Sequence, residues 1–557
     1  CEHVPANPAR NWEEAVQSLW MIQSLVQIEN FHITNCPARI DQYMYPFYKK
    51  SVVDEKTMSR VEALEFLECL FVKLNENAII CDYMMATLAP GQALSLTMTI
   101  GGQTREGKDA CNEVTMLCLE AEEHVGLAQP EIAMRLWEGT PEKYLRKAAE
   151  VLRMGRGKPK FISDRTAVRM AAKGNPGLTE ADYREYAVGG CTELTLPHIE
   201  MLHSWEGVCI VPKILELVMF NGKCILCEKQ IGPATGDPRT FTAISDLLKA
   251  YKVQLNYWMR LLVRAIKAVK EGQAERVMIP FCSSLTEGPL QKGLDIAQGG
   301  TWYNNCGIYL AGLADTSDSL AVIDKLIYRD KKITWDQLLE AIKDNWQGHE
   351  DLRQLCLNGV PKYGNDDDFA DDWAIWVMDS WYDCVDDINN QKDLAPKPYR
   401  DGLYVGSGII GQSNVGFGMA IAATPNGRIH PNPLAECNSP FPGVDRSGPT
   451  GVIKSISKLP AYRFAMGGVL NLKLSPELVG TETGIDGFIA FLKSVEELGV
   501  YQTQYNVVSS NTLREAMKEP EHYRDLLVRV ASYCVYFVEC TEEQQLDIIS
   551  RTEHQGW

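Results

Sequence analysis

The chain has 557 residues, 45% of them hydrophobic and 23% charged, with a formal net charge of −18 and a pI near 5.1. That is ample length for a large core, and the acidic balance argues against nucleic acid or an anionic membrane as the main partner. No apolar run reaches the roughly 18 residues a transmembrane helix needs. The opening "CEHVPANPARNWEEA" lacks the basic-then-apolar pattern of a signal peptide, and a start at Cys1 rather than Met suggests a missing upstream portion. Seventeen cysteines without framework spacing, in an acidic chain with no export signal, are expected as reduced thiols.

In chain order, "NWEEAVQSLWMIQSLVQIEN", "SRVEALEFLECLFVKLNENA" and "DACNEVTMLCLEAEEHV" carry apolar residues at i, i+3, i+4 spacing and predict helices. Between them, "LSLTMTIGGQT" alternates like a strand and "EIAMRLWEGT" reads as strand then turn. The centre offers "PKFISD" and "YAVGGC" as strands and a long helix from Phe241 to Glu271. Further on, "GVLNLKLSP" and "TQYNVVSS" predict strands, and "NTLREAM" a helix capped by Asn511. In "LLVRVASYCVYFVECTEEQQLDIISRTEH", a short apolar strand meets a kink at Ala531-Ser532-Tyr533 before the apolar run resumes. Thr541 and Gln544 then form a capping box for the last helix. Helices and strands interleave without a Ser/Pro-rich linker, so residues 1–557 are read as one large α/β domain.

Several motifs have bland readings. "CILC", Cys224 and Cys227, lacks the second pair a zinc site needs and reads as packing cysteines. "GSGIIG", Gly406 to Gly411, matches the dinucleotide pattern without a surrounding βαβ unit. "GNDDDFADDWA", Gly364 to Ala374, lacks calcium-loop spacing and reads as a solvated or helix-capping turn. No metal site is expected. "YAVGGCTELTLPHIEMLH" carries more. Two glycines let the backbone turn and present Cys191 at a loop tip, and Glu193, two residues on, points to the same side of an extended loop. A thiol beside a carboxylate permits hydrogen-atom transfer at sulfur and proton transfer at oxygen. A hydrolase would instead need His198 or His203 as a base for Cys191.

"RVASYCVYFVECTEEQQLDIISRTEH" resembles the C-terminal signature of glycyl radical enzymes, and "GGCTE" resembles their active-site cysteine loop. "ARIDQYMYPFYKK", "IGGQTREGKDACNE", "SGPTGVIKSISKL" and "QYNVVSSNTLREA" extend the likeness, in order, along essentially the whole chain. The resemblance implies a ten-stranded α/β barrel of two five-stranded halves wrapped in helices, with the cysteine and glycine-type loops meeting inside. Residues 440–557 would form its glycyl-radical-type subregion, and an upstream helical part would be absent. It also implies a cytoplasmic homodimer, a small-molecule substrate and a separate radical-SAM activating enzyme. That partner would install a glycyl radical post-translationally, with no cofactor bound in the chain itself.

One residue departs from the pattern: Ser532 stands where the family has its radical glycine. A serine Cα resists the planar geometry that stabilises a backbone radical, and the loop is expected to strain it. The resemblance thus implies an activation-dead Gly-to-Ser form, engineered or natural, or a catalytically silent member acting as scaffold or dimer partner. A single cysteine followed by Glu193 resembles the dehydratase and decarboxylase branch. There Cys191 would abstract substrate hydrogen and Glu193 act as general acid/base, leading to C–O or C–N elimination or decarboxylation. Ile33, Thr34 and Trp205 would line the pocket, Ile33 and Trp205 replacing polar contacts of the polyol dehydratases and favouring a substrate with an apolar body.

Overall fold

The computed structural model describes residues 2–29, 36–77, 95–395, 402–408 and 413–557. Its strands are β1 (Thr97–Gly101), β2 (Glu131–Leu136), β3 (Lys160–Ser163), β4 (Ala187–Gly189), β5 (Glu193–Thr195), β6 (Glu200–Ile210), β7 (Tyr303–Ala311), β8 (Tyr404–Gly408), β9 (Val469–Leu474), β10 (Gln502–Val507), β11 (Leu527–Arg529), β12 (Cys534–Tyr536) and β13 (Glu553–His554). One sheet runs β1-β2-β3-β10-β9-β13, so strands from the two ends of the chain interleave. All its pairs are parallel except β3 with β10. A second, fully parallel sheet runs β6-β7-β8. Main-chain bonds join the two sheets: Met466 N–H donates to Gly406 O at 3.0 Å, and Gly408 N–H to Gly467 O at 3.2 Å.

The large sheet explains the site. Every residue of β1, β2, β3, β9 and β10 is buried, yet the strands alternate polar and apolar side chains. Because successive side chains point to opposite faces, one face carries Met98, Ile100, Ile132, Met134, Phe161, Leu470, Leu472 and Tyr505, all in the main apolar core. Phe161, Phe488 and Tyr505 meet edge to face there, with Phe488 supplied by the covering helix Glu482–Leu498. The opposite face carries Thr97, Thr99, Glu131, Arg135, Lys160, Gln502, Gln504 and Asn506, each 3% exposed or less. Buried polar groups must be hydrogen-bonded, so that face has to meet other polar groups of the protein rather than solvent or hydrocarbon.

The helices fall where periodicity predicts: Trp12–Glu29, Arg60–Asn75, Glu113–Val125, and a long helix Ile244–Arg276. Thr541 and Gln544 form the expected capping box. One sequence expectation needs correcting. The cap of helix Ser510–Lys518 is Ser509, whose hydroxyl accepts the Thr512 N–H, not Asn511; the helix begins one residue before that asparagine. Gly406 and Gly408 of "GSGIIG" belong to β8, where a Cβ on Gly406 would lie 2.5 Å from the Trp381 ring; residues 409–411 lie outside the described residues. In "GNDDDFADDWA", Asp367 caps helix Asp368–Asn389, as a capping turn should.

Candidate active site

Two hairpins enter the polar face of the large sheet. The first, β4–β5, carries Cys191 at its tip. Gly190 adopts φ +54°, which turns the chain sharply just before the cysteine. The sheet's polar side chains hold this tip by its carbonyls. Lys160 Nζ donates to Gly190 O at 2.8 Å, Cys191 O at 3.0 Å and Thr97 Oγ1 at 3.0 Å, and Gln502 Nε2 donates to Cys191 O at 2.9 Å. Tyr501 OH donates to Thr192 O at 2.8 Å. Gly467, at φ +108°, lets its strand approach: a Cβ there would sit 2.6 Å from Thr192 O.

The second hairpin, β11–β12, turns through Ala531-Ser532, closed by Val530 N–H donating to Tyr533 O at 3.1 Å. Glu131 grips its neck. One carboxylate oxygen accepts Arg529 Nη2 at 2.7 Å, and the other accepts the Cys534 N–H at 2.7 Å. Gly157 O, Gln504 Oε1 and Asn506 take the remaining polar groups of Arg529. From the other side Arg551 Nη2 donates to Val530 O.

The hairpins bring Cys191 and Ser532 together. The Ser532 hydroxyl lies close enough to the Cys191 sulfur to favour its thiolate, though it forms no hydrogen bond of ordinary geometry. Ser532 is fully buried and has no left-handed backbone angle, so the expected strain at this position is absent. Burial and the nearby Glu193 carboxylate push the Cys191 pKa up to about 12, against Lys160, Ser532 and Ser95, whose hydroxyl is 3.6 Å from the sulfur. The thiol is therefore protonated, the reverse of an activated nucleophile. His198 is exposed beside Glu287, and His203 Nδ1 is 3.4 Å from Lys270 Nζ, so the geometry offers the hydrolase reading no support.

Glu193 folds back over the loop. One oxygen accepts the N–H groups of Cys191 at 2.8 Å and Thr192 at 2.9 Å, and the other accepts Tyr309 OH at 2.9 Å. Burial raises its pKa against these bonds, giving a carboxyl that takes up a proton more readily than an exposed one. Trp205 sits in a β-bulge of β6 between His203 and Gly207, at φ +62°, and its ring lies 5.3 Å from that of Tyr309. The bulge turns the indole into the apolar cluster around Cys191, with its Nε1 buried and without a hydrogen-bond partner among the described residues. A cavity of about 390 Å³ opens beside Glu193, bounded also by Val188, Thr195, Met201, Ser204 and Cys36. Ile33 and Thr34 lie outside the described residues.

Sequence reasoning missed Lys160, Glu131, Tyr309 and Gln502. The signal was present for two of them: a lone Lys in "PKFISD" and a lone Glu opening "EIAMRL" are odd for buried strands.

A family model described as pyruvate formate lyase-like matches residues 1–410, and one described as glycine radical matches residues 434–538. Isethionate sulfite-lyase of Oleidesulfovibrio alaskensis is 34% identical, covering 100% of this chain and 66% of its own length. Trans-4-hydroxy-L-proline dehydratase of Clostridioides difficile is 32% identical, with 99% and 69% covered. Among solved structures, hydroxyproline dehydratase of C. difficile with its substrate bound superposes with a TM-score of 0.94 at 32% identity, covering 100% of this chain and 69% of that one. The glycerol-bound B12-independent glycerol dehydratase of Clostridium butyricum gives 0.92 at 33% identity, with 99% and 68% covered. The chain thus spans about two thirds of the length of the relatives it matches. With an α/β fold shared over its whole length, the chain belongs to the glycyl radical enzymes of the pyruvate formate lyase-like family.

Proposed function

We propose that this chain is the catalytic part of a glycyl-radical-type lyase acting on a small organic substrate, here in a Gly-to-Ser form that cannot store the radical. The observation that carries the reading is the buried meeting of residue 532 with a protonated Cys191. In a glycine-bearing form, a radical at position 532 would supply the hydrogen-atom acceptor that takes the Cys191 hydrogen. With serine present the storage position does not fit that group, so no such step is assigned to this chain. Cys191 would hold the hydrogen atom exchanged with substrate carbon and return it to product. Glu193, buried and ready to protonate, would move the proton of the leaving or ionising group. Lys160 and Gln502 would fix the sulfur by holding the Cys191 carbonyl. Trp205 and Tyr309 do not bound the cavity beside Glu193, but their rings lie 5.3 Å apart in the apolar cluster around Cys191, and a substrate reaching that thiol would meet them, which favours an apolar body over a small polyol.

The partner this reading requires is a radical-SAM activating enzyme. The test is to make Ser532→Gly, add such an enzyme anaerobically, and record electron paramagnetic resonance. A doublet signal is expected, followed by turnover of one member of a panel of isethionate, trans-4-hydroxy-L-proline, glycerol, 1,2-propanediol and indoleacetate. No signal from a folded variant overturns the radical reading. The unstrained fit of Ser532 supports a second reading, a natural silent member serving as scaffold or dimer partner. A signal without turnover of any substrate would favour it.

A further inference from the structure

Away from the Cys191 centre, the chain turns through Ile225-Leu226-Cys227 at the tip of a loop following helix Val211–Met219. A backbone bridge between Lys223 and Gln230 closes the loop, with the Cys224 N–H donating to Lys229 O at 2.9 Å. Cys224 is buried beneath the turn and Cys227 is exposed on it. Two residues three apart across a turn lie within about 7 Å at Cα, inside the reach of a disulfide. Two further contacts favour thiol chemistry. Lys213 Nζ donates to Cys224 Sγ at 3.5 Å while ion-paired to Glu216. The Lys229 N–H and then the Cys224 thiol bear on the Cys227 sulfur and lower its pKa. The arrangement is that of an attacking thiol at the surface with a resolving thiol beside it.

We propose that Cys224 and Cys227 are a reversible oxidation site that closes to an intraloop disulfide by exchange with a low-molecular-weight disulfide. The Cys227 thiolate attacks one sulfur of that disulfide and expels the first small thiolate, which takes up a proton. Cys224, its own proton passing to solvent, then attacks the Cys227 sulfur and expels the second. Two protein thiols are oxidised, and one small disulfide is reduced to two thiols.

The test treats the intact protein with oxidised glutathione and maps peptides by mass spectrometry. The expected result is a Cys224–Cys227 peptide lighter by two hydrogens, formed several-fold faster than any glutathione adduct at exposed Cys69. In Cys224→Ser the glutathione adduct at Cys227 should persist. The proposal is overturned if Cys227 in the unaltered protein stops at the glutathione adduct, or if Cys69 reacts as fast. It is equally overturned if Cys224→Ser and the unaltered protein give the same products.

Discussion

Replacing Glu131 by Gln tests whether the sheet's polar face positions the hairpin that bears residue 532. Glu131 and Arg529 are both fully buried, 2.7 Å apart, and the second carboxylate oxygen holds the Cys534 N–H. Burial pushes the Glu131 pKa up, but Arg529, Lys160 and Lys158 outweigh it and hold the carboxyl below its usual range. A carboxylate a few ångströms from a guanidinium is worth about 4 kcal/mol at an effective dielectric near 20. Removing one partner of a buried pair costs about 3–5 kcal/mol, because the other charge stays buried. Glutamine keeps one acceptor oxygen but sets an amide N–H₂ against a cation, leaving Arg529 and Lys160 without their shared counter-charge. In a chain this long global unfolding need not be two-state, so the readout is local: hydrogen exchange at the Arg529 and Cys534 amides. Both should lose protection by about 3 kcal/mol or more while β6–β8 keep theirs. The lowered pKa also fixes a sign. Glu131 contributes stability above its unfolded pKa, lost as pH falls through the folded value, and the variant should lack that acid-side loss. A change below about 1 kcal/mol would refute the view that this ion pair anchors the hairpin.

Gly467→Ala places a Cβ 2.6 Å from both Thr192 O and Tyr501 Cε1 on a backbone at φ +108°, and should destabilise by about 3 kcal/mol in thermal melts, with Cys191 becoming easier to alkylate. Because the Cys191 pKa is near 12, iodoacetamide at pH 8 should label Cys69 and Cys227 long before Cys191; early labelling of Cys191 in peptide maps would contradict the protonated-thiol reading. Asp318 is fully buried, and burial raises its pKa to about 7, with one oxygen on the Tyr363 N–H and the other without a hydrogen bond among the described residues. Between its unfolded and folded pKa values the native state binds the extra proton, so its contribution falls as pH rises from about 4 to about 7. Asp318→Asn should therefore gain on the parent over that window, by no more than about 4 kcal/mol in denaturant titrations; a pH-independent difference would refute the assignment.

Much of the architecture was legible. Apolar spacing placed the helices Trp12–Glu29 and Arg60–Asn75, and alternation placed β1, β2 and β9. Two glycines before Cys191 and the Thr541 capping box were local signals, and local geometry honoured them. The alternation in "LSLTMTIGG" was less informative than it looked. A polar-apolar pattern ordinarily marks a strand with one wet face, whereas here the polar face is buried against two hairpins. Nothing within a short window distinguishes water from a distant carbonyl as the partner of a threonine or lysine.

The same limit applies to the site. The order of residues specified which loop carries a thiol, which carries serine in place of glycine, and that a carboxylate follows the cysteine by two positions. Folding decided that Lys160 and Gln502 hold the Cys191 carbonyl, that Glu131 clamps the neck of the other hairpin, and that a bulge turns Trp205 onto Tyr309. Hydrogen bonds between residues hundreds of positions apart depend on which strands become neighbours. That adjacency is set by burying the whole apolar face at once, and no local stretch of sequence encodes it.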